Sequence, residues 1–287
     1  MISVLILTRN EAADIAGAIR SVAFSDDVLI FDSHSTDDTR RIALDLGANV
    51  YERTFDNYAA QRNASLTLPH FRHDWILILD ADERPTPELV EEMQAAIRTA
   101  HADTAAFRIR RNDYLWGTWL KHAQITPFYT RLVRRGHARY LREINEVIQI
   151  DGNIAQLHAP LNHYPFSRGI AHWVDRHNTY STMEAQLLAA GSATQHASLR
   201  TALFSHDPQD RRRAQKALFY RLPCRTALKW LYMVVWRRSF LDGRAGLTYA
   251  TLQCFYEYLI ETKYRDMQAS AKQKGLPQET SSHTTKL

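Results

Sequence analysis

Trp75-Ile76-Leu77-Ile78-Leu79-Asp80-Ala81-Asp82-Glu83 is the stretch on which the reading of this chain turns. Five large apolar residues in a row predict a strand buried on both faces, as in a parallel sheet, rather than the alternating pattern of a half-solvated hairpin. Acids then stand at 80, 82 and 83, where the strand ends. A carboxylate at the tip of a buried strand is costly unless it is paired or opens into a solvated crevice. Two carboxylates two residues apart, where the chain leaves the strand period, can converge on one hard cation. Mg²⁺ or Mn²⁺ takes one or two carboxylates together with substrate phosphates.

Upstream, the same punctuation repeats. Residues 2–7, 28–32 and 49–52 read as strands, and helical periodicity covers 11–22, 36–46 with Gly47 as its stop, and 57–68. Strands that alternate with helices imply an α/β fold: a mostly parallel sheet, helices on both faces, right-handed crossovers, and ligands at the carboxyl ends of the strands. Those ends carry polar side chains. The first strand runs into Thr8-Arg9-Asn10-Glu11 and the second into Asp32-Ser33-His34-Ser35-Thr36-Asp37. For the second cluster, capping of the next helix by Ser35 or Asp37 stands beside a ligand-binding role.

Downstream, a Pro-flanked helix is predicted over 88–100 and strands over 105–110 and 128–133, around the aromatic stretch Tyr114-Leu115-Trp116-Gly117-Thr118-Trp119. That stretch reads either as an aromatic stacking wall for a ligand or as aromatic core. A helix over 170–190, a polar connector over 206–213, a helical region over 218–264 and a polar tail from 270 complete the pass. The expected organisation is one domain over 1–200, in two halves that divide at residue 100, then a basic helical region over 201–268 and a flexible tail over 269–287.

Composition narrows the function classes. With 287 residues, 45% hydrophobic and 23% charged, the chain has an ordinary globular balance. Cys224 and Cys254 are the only cysteines, neither a disulfide framework nor a zinc spacing. The N-terminal apolar run turns polar at Thr8 and is too short for a signal peptide, so a cytoplasmic protein is expected. The net charge of +5 is uneven: residues 200–246 hold eleven Lys/Arg and three Asp/Glu. There is no G-x-G-x-x-G turn and no G-x-x-x-x-G-K-[ST] loop, so neither a dinucleotide fold of that type nor a P-loop is supported.

Four ordered motifs resemble glycosyltransferase family 2 with the GT-A fold: Thr8-x-Asn10-Glu11; Asp32 with Ser35-x-Asp37-x-Thr39; Arg62-Asn63 on a helix; and Asp80-Ala81-Asp82. The resemblance covers most of the chain and implies a nucleotide-sugar half over 1–100 and an acceptor half over 101–200. Leu79 to Glu83 followed by Pro85, and Phe240-Leu241-Asp242-Gly243-Arg244-Ala245-Gly246, are similar to the lipopolysaccharide-core β-glucosyltransferase branch, although Asn145 stands where that branch has His. The resemblance implies a nucleotide-sugar donor held by Thr8, Asn10, Glu11, Asp32, Arg62, Asp80 and Ala81. It also implies Mg²⁺ or Mn²⁺ on Asp82 and Asp80, with His163 as a further ligand.

An inverting transfer needs a carboxylate to take the acceptor proton. Glu146, with Glu143 second, is the candidate base; two surface acids balancing Arg139 and Arg142 is the other reading. His163 and the weaker His158 read equally as structural histidines. Arg176, Asn178 and Tyr180 read as acceptor or phosphate contacts, or as a solvated helix face. The basic, aromatic segment from 211 to 238 admits an interfacial helix on anionic lipid, a nucleic-acid surface, or the outer face of a core helix. The expected partners are a UDP-sugar or similar donor, a lipid-linked saccharide such as lipopolysaccharide core, and the inner face of the cytoplasmic membrane, with no nucleic acid. A polyprenyl-phosphate acceptor, or a non-catalytic nucleotide-sugar-binding protein on the same fold, are the alternatives.

Overall fold

The computed structural model describes residues 1–67, 70–124, 128–141, 147–191, 198–205 and 208–274. The chain divides into two compact units, Met1–Trp173 with Ser239–Gly246, and Val174–Arg238 with Leu247–Leu287.

In the first unit, β1 (Ile2–Thr8), β2 (Val28–Asp32), β3 (Asn49–Glu52) and β4 (Trp75–Asp80) pair in parallel. The helices α1 (Ile15–Ser21), α2 (Thr39–Asp45) and α3 (Tyr58–Thr67) lie between them in sequence. The strands end in register: Thr8 lies opposite Asp32, and Leu7 opposite Asp80. Leu5, Ile6, Leu77, Ile78 and Leu79 are fully buried, which accounts for the unbroken apolar run. That burial, worth about 1.5–3 kcal/mol per large side chain, sets the depth of the strands and so the level at which the polar ends emerge.

Beyond β4 the sheet becomes mixed. After β5 (Glu83–Pro85) and α4 (Pro87–Thr99) come β6 (Thr104–Leu115), β7 (Thr118–Trp119), β8 (Phe128–Arg134), β9 (Ala138–Leu141), β10 (Val147–Ile150) and β11 (Asn153–His163). The order is β3-β2-β1-β4-β8-β6-β11-β5, with β7 on β6 and a separate β9–β10 pair. β8 runs antiparallel to both β4 and β6, whereas β11 is parallel to β6. Since β4, β6 and β11 point the same way, Asp80, Asp113 and His163 emerge at one edge.

The turn Ser239–Asp242 and the first residues of α9 (Gly243–Lys274) belong to this unit. Asp242 accepts the backbone N–H groups of His122 at 2.9 Å and Ala123 at 2.8 Å, and its other oxygen is 2.6 Å from His122 Nδ1. A side chain at Gly246 would collide with the Ser239 carbonyl, so glycine is required there. The F-L-D-G-R-A-G motif is thus a packed turn that fastens residues 122–123.

The second unit is helical: α5 (Gly169–Ala189) from Val174 on, α6 (Leu199–Phe204), α7 (Pro208–Phe219), α8 (Arg225–Leu231) with a wider turn over Tyr232–Trp236, and α9 from Leu247. Lys216 Nζ and Tyr220 Oη donate to Glu184 at 2.7 and 3.1 Å. The expected connector over 206–213 is instead helical from Pro208, a residue whose fixed φ suits a first helical position. Residues 270–274, read from sequence as tail, continue α9. Among the described residues, no helix is long and apolar enough to cross a membrane.

Candidate active site

The carboxyl edge of the sheet gathers the motifs. Asp32 is fully buried and accepts Thr8 Oγ1 at 2.7 Å, Ser35 Oγ at 2.6 Å and the Ser35 N–H at 2.7 Å. Asn10 takes a left-handed conformation, φ 56°, which Asn tolerates better than most residues. Its N–H donates to Ser35 Oγ at 2.8 Å, and its Oδ1 accepts the Thr36 N–H at 2.7 Å. The Glu11 N–H donates to Thr39 Oγ1 at 2.7 Å, and Arg168 Nη1 reaches Glu11 Oε2 at 3.4 Å and the Asn10 carbonyl. The first two motifs therefore form one rigid cradle. The capping expected of Ser35 or Asp37 takes the form of bonds to Asn10 and Ala12 across the strand ends, and to Thr39.

The second half of the site is ionic. Asp80 Oδ1 is 3.2 Å from Arg62 Nη2, and Asp80 Oδ2 is 2.6 Å from Arg131 Nη2. The same Arg131 nitrogen lies 2.6 Å from Glu83 Oε1, while Glu83 Oε2 accepts the Asp80 N–H at 3.0 Å. Burial would raise the Asp80 carboxyl, but Arg131 and then Arg62 outweigh it and hold it well below the usual carboxylate range. Arg131 sits where the β6–β8 register slips between Phe107 and Arg108, so a bulge re-aims its side chain.

Beyond Glu83, Arg111 Nη1 lies 3.5 Å from Glu83 Oε1, and Arg111 Nε is 2.9 Å from Asp113 Oδ1. Asp113 Oδ1 is also 2.7 Å from His163 Nδ1, and His163 Nε2 is 3.3 Å from Asp82 Oδ2. Burial and Arg111 pull the His163 pKa down, yet Asp82 and Asp113 win and raise it to about 9. A third of the Asp80 side chain and 15% of the Asp82 side chain remain accessible, so this ionic row opens to solvent at the edge.

A model of the family described as glycosyl transferase family 2 matches residues 3–164, more than half of the chain. The chain belongs to glycosyl transferase family 2. It is therefore a glycosyltransferase with the GT-A arrangement of sheet and helices. It is 28% identical over 292 residues to an uncharacterized glycosyltransferase of Rickettsia conorii, an alignment covering 94% of this chain and 92% of that one. It is also 28% identical over 195 residues to the lipopolysaccharide core biosynthesis glycosyltransferase LpsC of Rhizobium meliloti, covering 64% and 70% of the two chains. Among solved structures it is similar to glucosyl-3-phosphoglycerate synthase from Mycobacterium tuberculosis in complex with Mn²⁺, UDP and glucosyl-3-phosphoglycerate. That similarity has 23% identity and a TM-score of 0.34, and covers 40% of this chain and 44% of that one, so this chain spans less than half of that protein's length.

In this glycosyltransferase, the sequence-expected residues Thr8, Asn10, Glu11, Asp32, Arg62, Asp80, Ala81, Asp82 and His163 all belong to the one edge. Ala81 is buried, with its carbonyl accepting Arg84 Nη1 at 3.1 Å. Glu143, Glu146 and Asn145 lie outside the described residues, in the 142–146 link from β9 to β10. His158 pairs instead with Glu92 on α4 at 3.2 Å. In the second unit, Asn178 accepts Lys263 Nζ through Oδ1 and its carbonyl, both at 2.6 Å.

Three residues not anticipated, Arg111, Asp113 and Arg131, complete the ionic row with Glu83, an acid the sequence placed at the strand end without a role. The signal available was charge at inward positions of strands, since Ile109, Arg111 and Asp113 alternate on one face of β6. Among the described residues, no three His, Cys, Asp or Glu side chains form a ready metal cage. The donor set of Asp82 and of His163, which must first give up its Nε2 proton, with Asp80 already bridged by two guanidiniums, fits a cation completed by phosphate oxygens rather than a closed protein site.

Proposed function

We propose that this family 2 enzyme is an inverting, divalent-metal-dependent transferase that moves a hexose from a UDP-sugar to a lipid-linked oligosaccharide such as lipopolysaccharide core, at the inner face of the cytoplasmic membrane. The observation that supports it best is the alignment of carboxylates and cations at one sheet edge: Asp80, Asp82, His163, Arg62 and Arg131. The LpsC relative supports the acceptor class.

Leaving of a nucleoside diphosphate requires that its growing charge be neutralised. Asp82 and His163 would hold Mg²⁺ or Mn²⁺, with Asp80 joining if it gives up a guanidinium, and the ion would supply that neutralisation as a Lewis acid. Arg62, which also stacks on Tyr140 at 5.4 Å, offers a fork to the diphosphate. Thr8, Asn10, Glu11 and Asp32 shape the nucleoside end, and Ala81 lets the backbone approach.

On the opposite face of the sugar, Glu146, with Glu143 second, takes the proton of the acceptor hydroxyl. The new C–O bond forms as the bond to the diphosphate oxygen breaks, with inversion. The test is direct. Purified protein with Mn²⁺ and a panel of sugar nucleotides, offered core glycolipids, should transfer one sugar. Neither transfer nor donor hydrolysis under any combination would overturn the proposal.

A further inference from the structure

The helix α8 and the turn that extends it are inside out. Leu228, Leu231, Tyr232, Val235 and Trp236 recur at helical spacing on one side, and all five are exposed, Trp236 by 79%, Val235 by 57% and Leu231 by 54%. The positions facing the other way are Arg225, Lys229 and Met233. Arg225 and Met233 are buried, and Lys229 turns inward with them. Arg225 Nε lies 3.1 Å from Glu257 Oε1 and 3.5 Å from Glu261 Oε2; Lys229 Nζ lies 3.6 Å from Glu257 Oε2. Burial holds the Lys229 pKa below its ordinary value even with that partner. Two of the cations that the sequence offered for lipid contact are therefore spent inside the second unit, and the side chains left outside are apolar.

A contiguous apolar face on a water-facing helix marks an interaction surface. Its flanks define the partner. Arg221 and Arg238 are exposed and Arg237 partly so, on either side of the stripe, and no Asp or Glu occurs between Asp210 and Asp242. A second copy docking face to face would bring these arginines against each other. An anionic bilayer meets both features, with apolar side chains entering the acyl boundary, arginines at phosphate level, and Trp and Tyr at the interface.

We propose that the exposed face of α8 and residues 232–236 is the element by which this enzyme inserts into an anionic membrane surface, driven by apolar burial and oriented by Arg221, Arg237 and Arg238. It rests on the reading of a membrane-held acceptor for its purpose, but its test uses no sugar. The full chain is floated with vesicles of phosphatidylglycerol and phosphatidylethanolamine, and with vesicles of phosphatidylcholine alone.

Wild type should float with the first and persist in part at about 1 M salt, where exposed charge is screened. The double variant Leu231→Ser, Trp236→Ser should lose at least about tenfold in partitioning while keeping its circular dichroism and melting temperature. Arg237→Ser with Arg238→Ser should lose the preference for anionic vesicles. The proposal is overturned if wild type stays soluble with anionic vesicles, if the serine variant floats equally, or if the face instead mediates a dimer that the serine variant dissolves. Transfer to a water-soluble acceptor fragment is measured separately, so failure of this contact and failure of the glycosyltransfer reading remain distinct.

Discussion

His163 turns Nε2 toward Asp82 Oδ2, 3.3 Å away, and it is held in that orientation by Asp113, whose Oδ1 is 2.7 Å from Nδ1. A carboxylate behind a histidine fixes the ring before any ligand arrives and keeps the Nδ1 proton, so that Nε2 is the nitrogen a metal would take. Asp113→Asn should therefore raise the Mn²⁺ concentration for half-maximal activity about 10–100-fold. Binding of the nucleotide without metal should change little. A metal titration of activity, paired with metal-free nucleotide binding, checks both; an unchanged metal requirement would remove Asp113 from this role.

Arg131 serves two carboxylates, and its loss would leave Asp80 and Glu83 facing each other with no shared cation. Breaking a buried pair by deleting one partner costs about 3–5 kcal/mol. Arg131→Met should shift the urea midpoint of the first unit accordingly, and Glu83→Gln in the same chain should recover part of the loss. A single-variant cost below about 1 kcal/mol would show that solvent already compensates these charges.

Asn63 pairs with the backbone of Tyr140 in both directions, donating from Nδ2 to the carbonyl at 2.8 Å and accepting the N–H at Oδ1 at 2.8 Å. It thereby ties α3 to β9, the strand that leads into residues 142–146. If the base lies there, Asn63→Ala should lower kcat by at least about tenfold, because small displacements of a reacting group are expensive. KM for the sugar nucleotide should stay within about twofold. Steady-state kinetics with donor and acceptor varied separately distinguish this from loss of nucleotide binding, which would raise the donor KM instead.

Glu92 fastens α4 to β11 by accepting the N–H groups of His158 at 2.9 Å and Ala159 at 2.7 Å. Partial burial would raise its carboxyl, but these N–H donors outweigh that and lower it from 4.5. A depressed carboxyl contributes stability that is present above pH 4.5 and is lost as pH falls through the folded-state value. Glu92→Gln keeps an acceptor but no titrating charge. Its melting temperature should fall less steeply than wild type below about pH 4.5, and parallel curves would contradict the assignment.

The parallel half of the sheet was legible because each strand is an apolar run that stops at a polar cluster, with helical periodicity between runs. The direction of β8 was not, since a period of two is the same for either orientation and only the pairing with β4 and β6 shows the antiparallel return. Arg110 to Asp113 hid the second half of β6, because four polar residues in a row cancel the alternation that marks a strand. Thr8, Asn10, Asp32 and the Asp80-Ala81-Asp82 turn stood out by their positions after strands, and Arg62 by the helix motif of the family resemblance. Arg131 was missed because a bulge, invisible in composition, turns it inward. Arg225 and Lys229 read from sequence as outward-facing cations; their partner Glu257 is about thirty residues on, and only packing could reveal it.

The most direct test is the melting temperature of wild type and Asp82→Ala with UDP, GDP, CMP and dTDP, each with and without Mn²⁺. A ligand at about 100 times its Kd adds roughly 2.7 kcal/mol, a rise of about 5–10 °C for a domain of this size. The expected result is a shift with UDP that needs Mn²⁺ and disappears in Asp82→Ala. No shift with any nucleotide, or an equal Mn²⁺-dependent shift in the variant, would contradict a metal-assisted nucleotide site at the Asp80-Ala81-Asp82 edge.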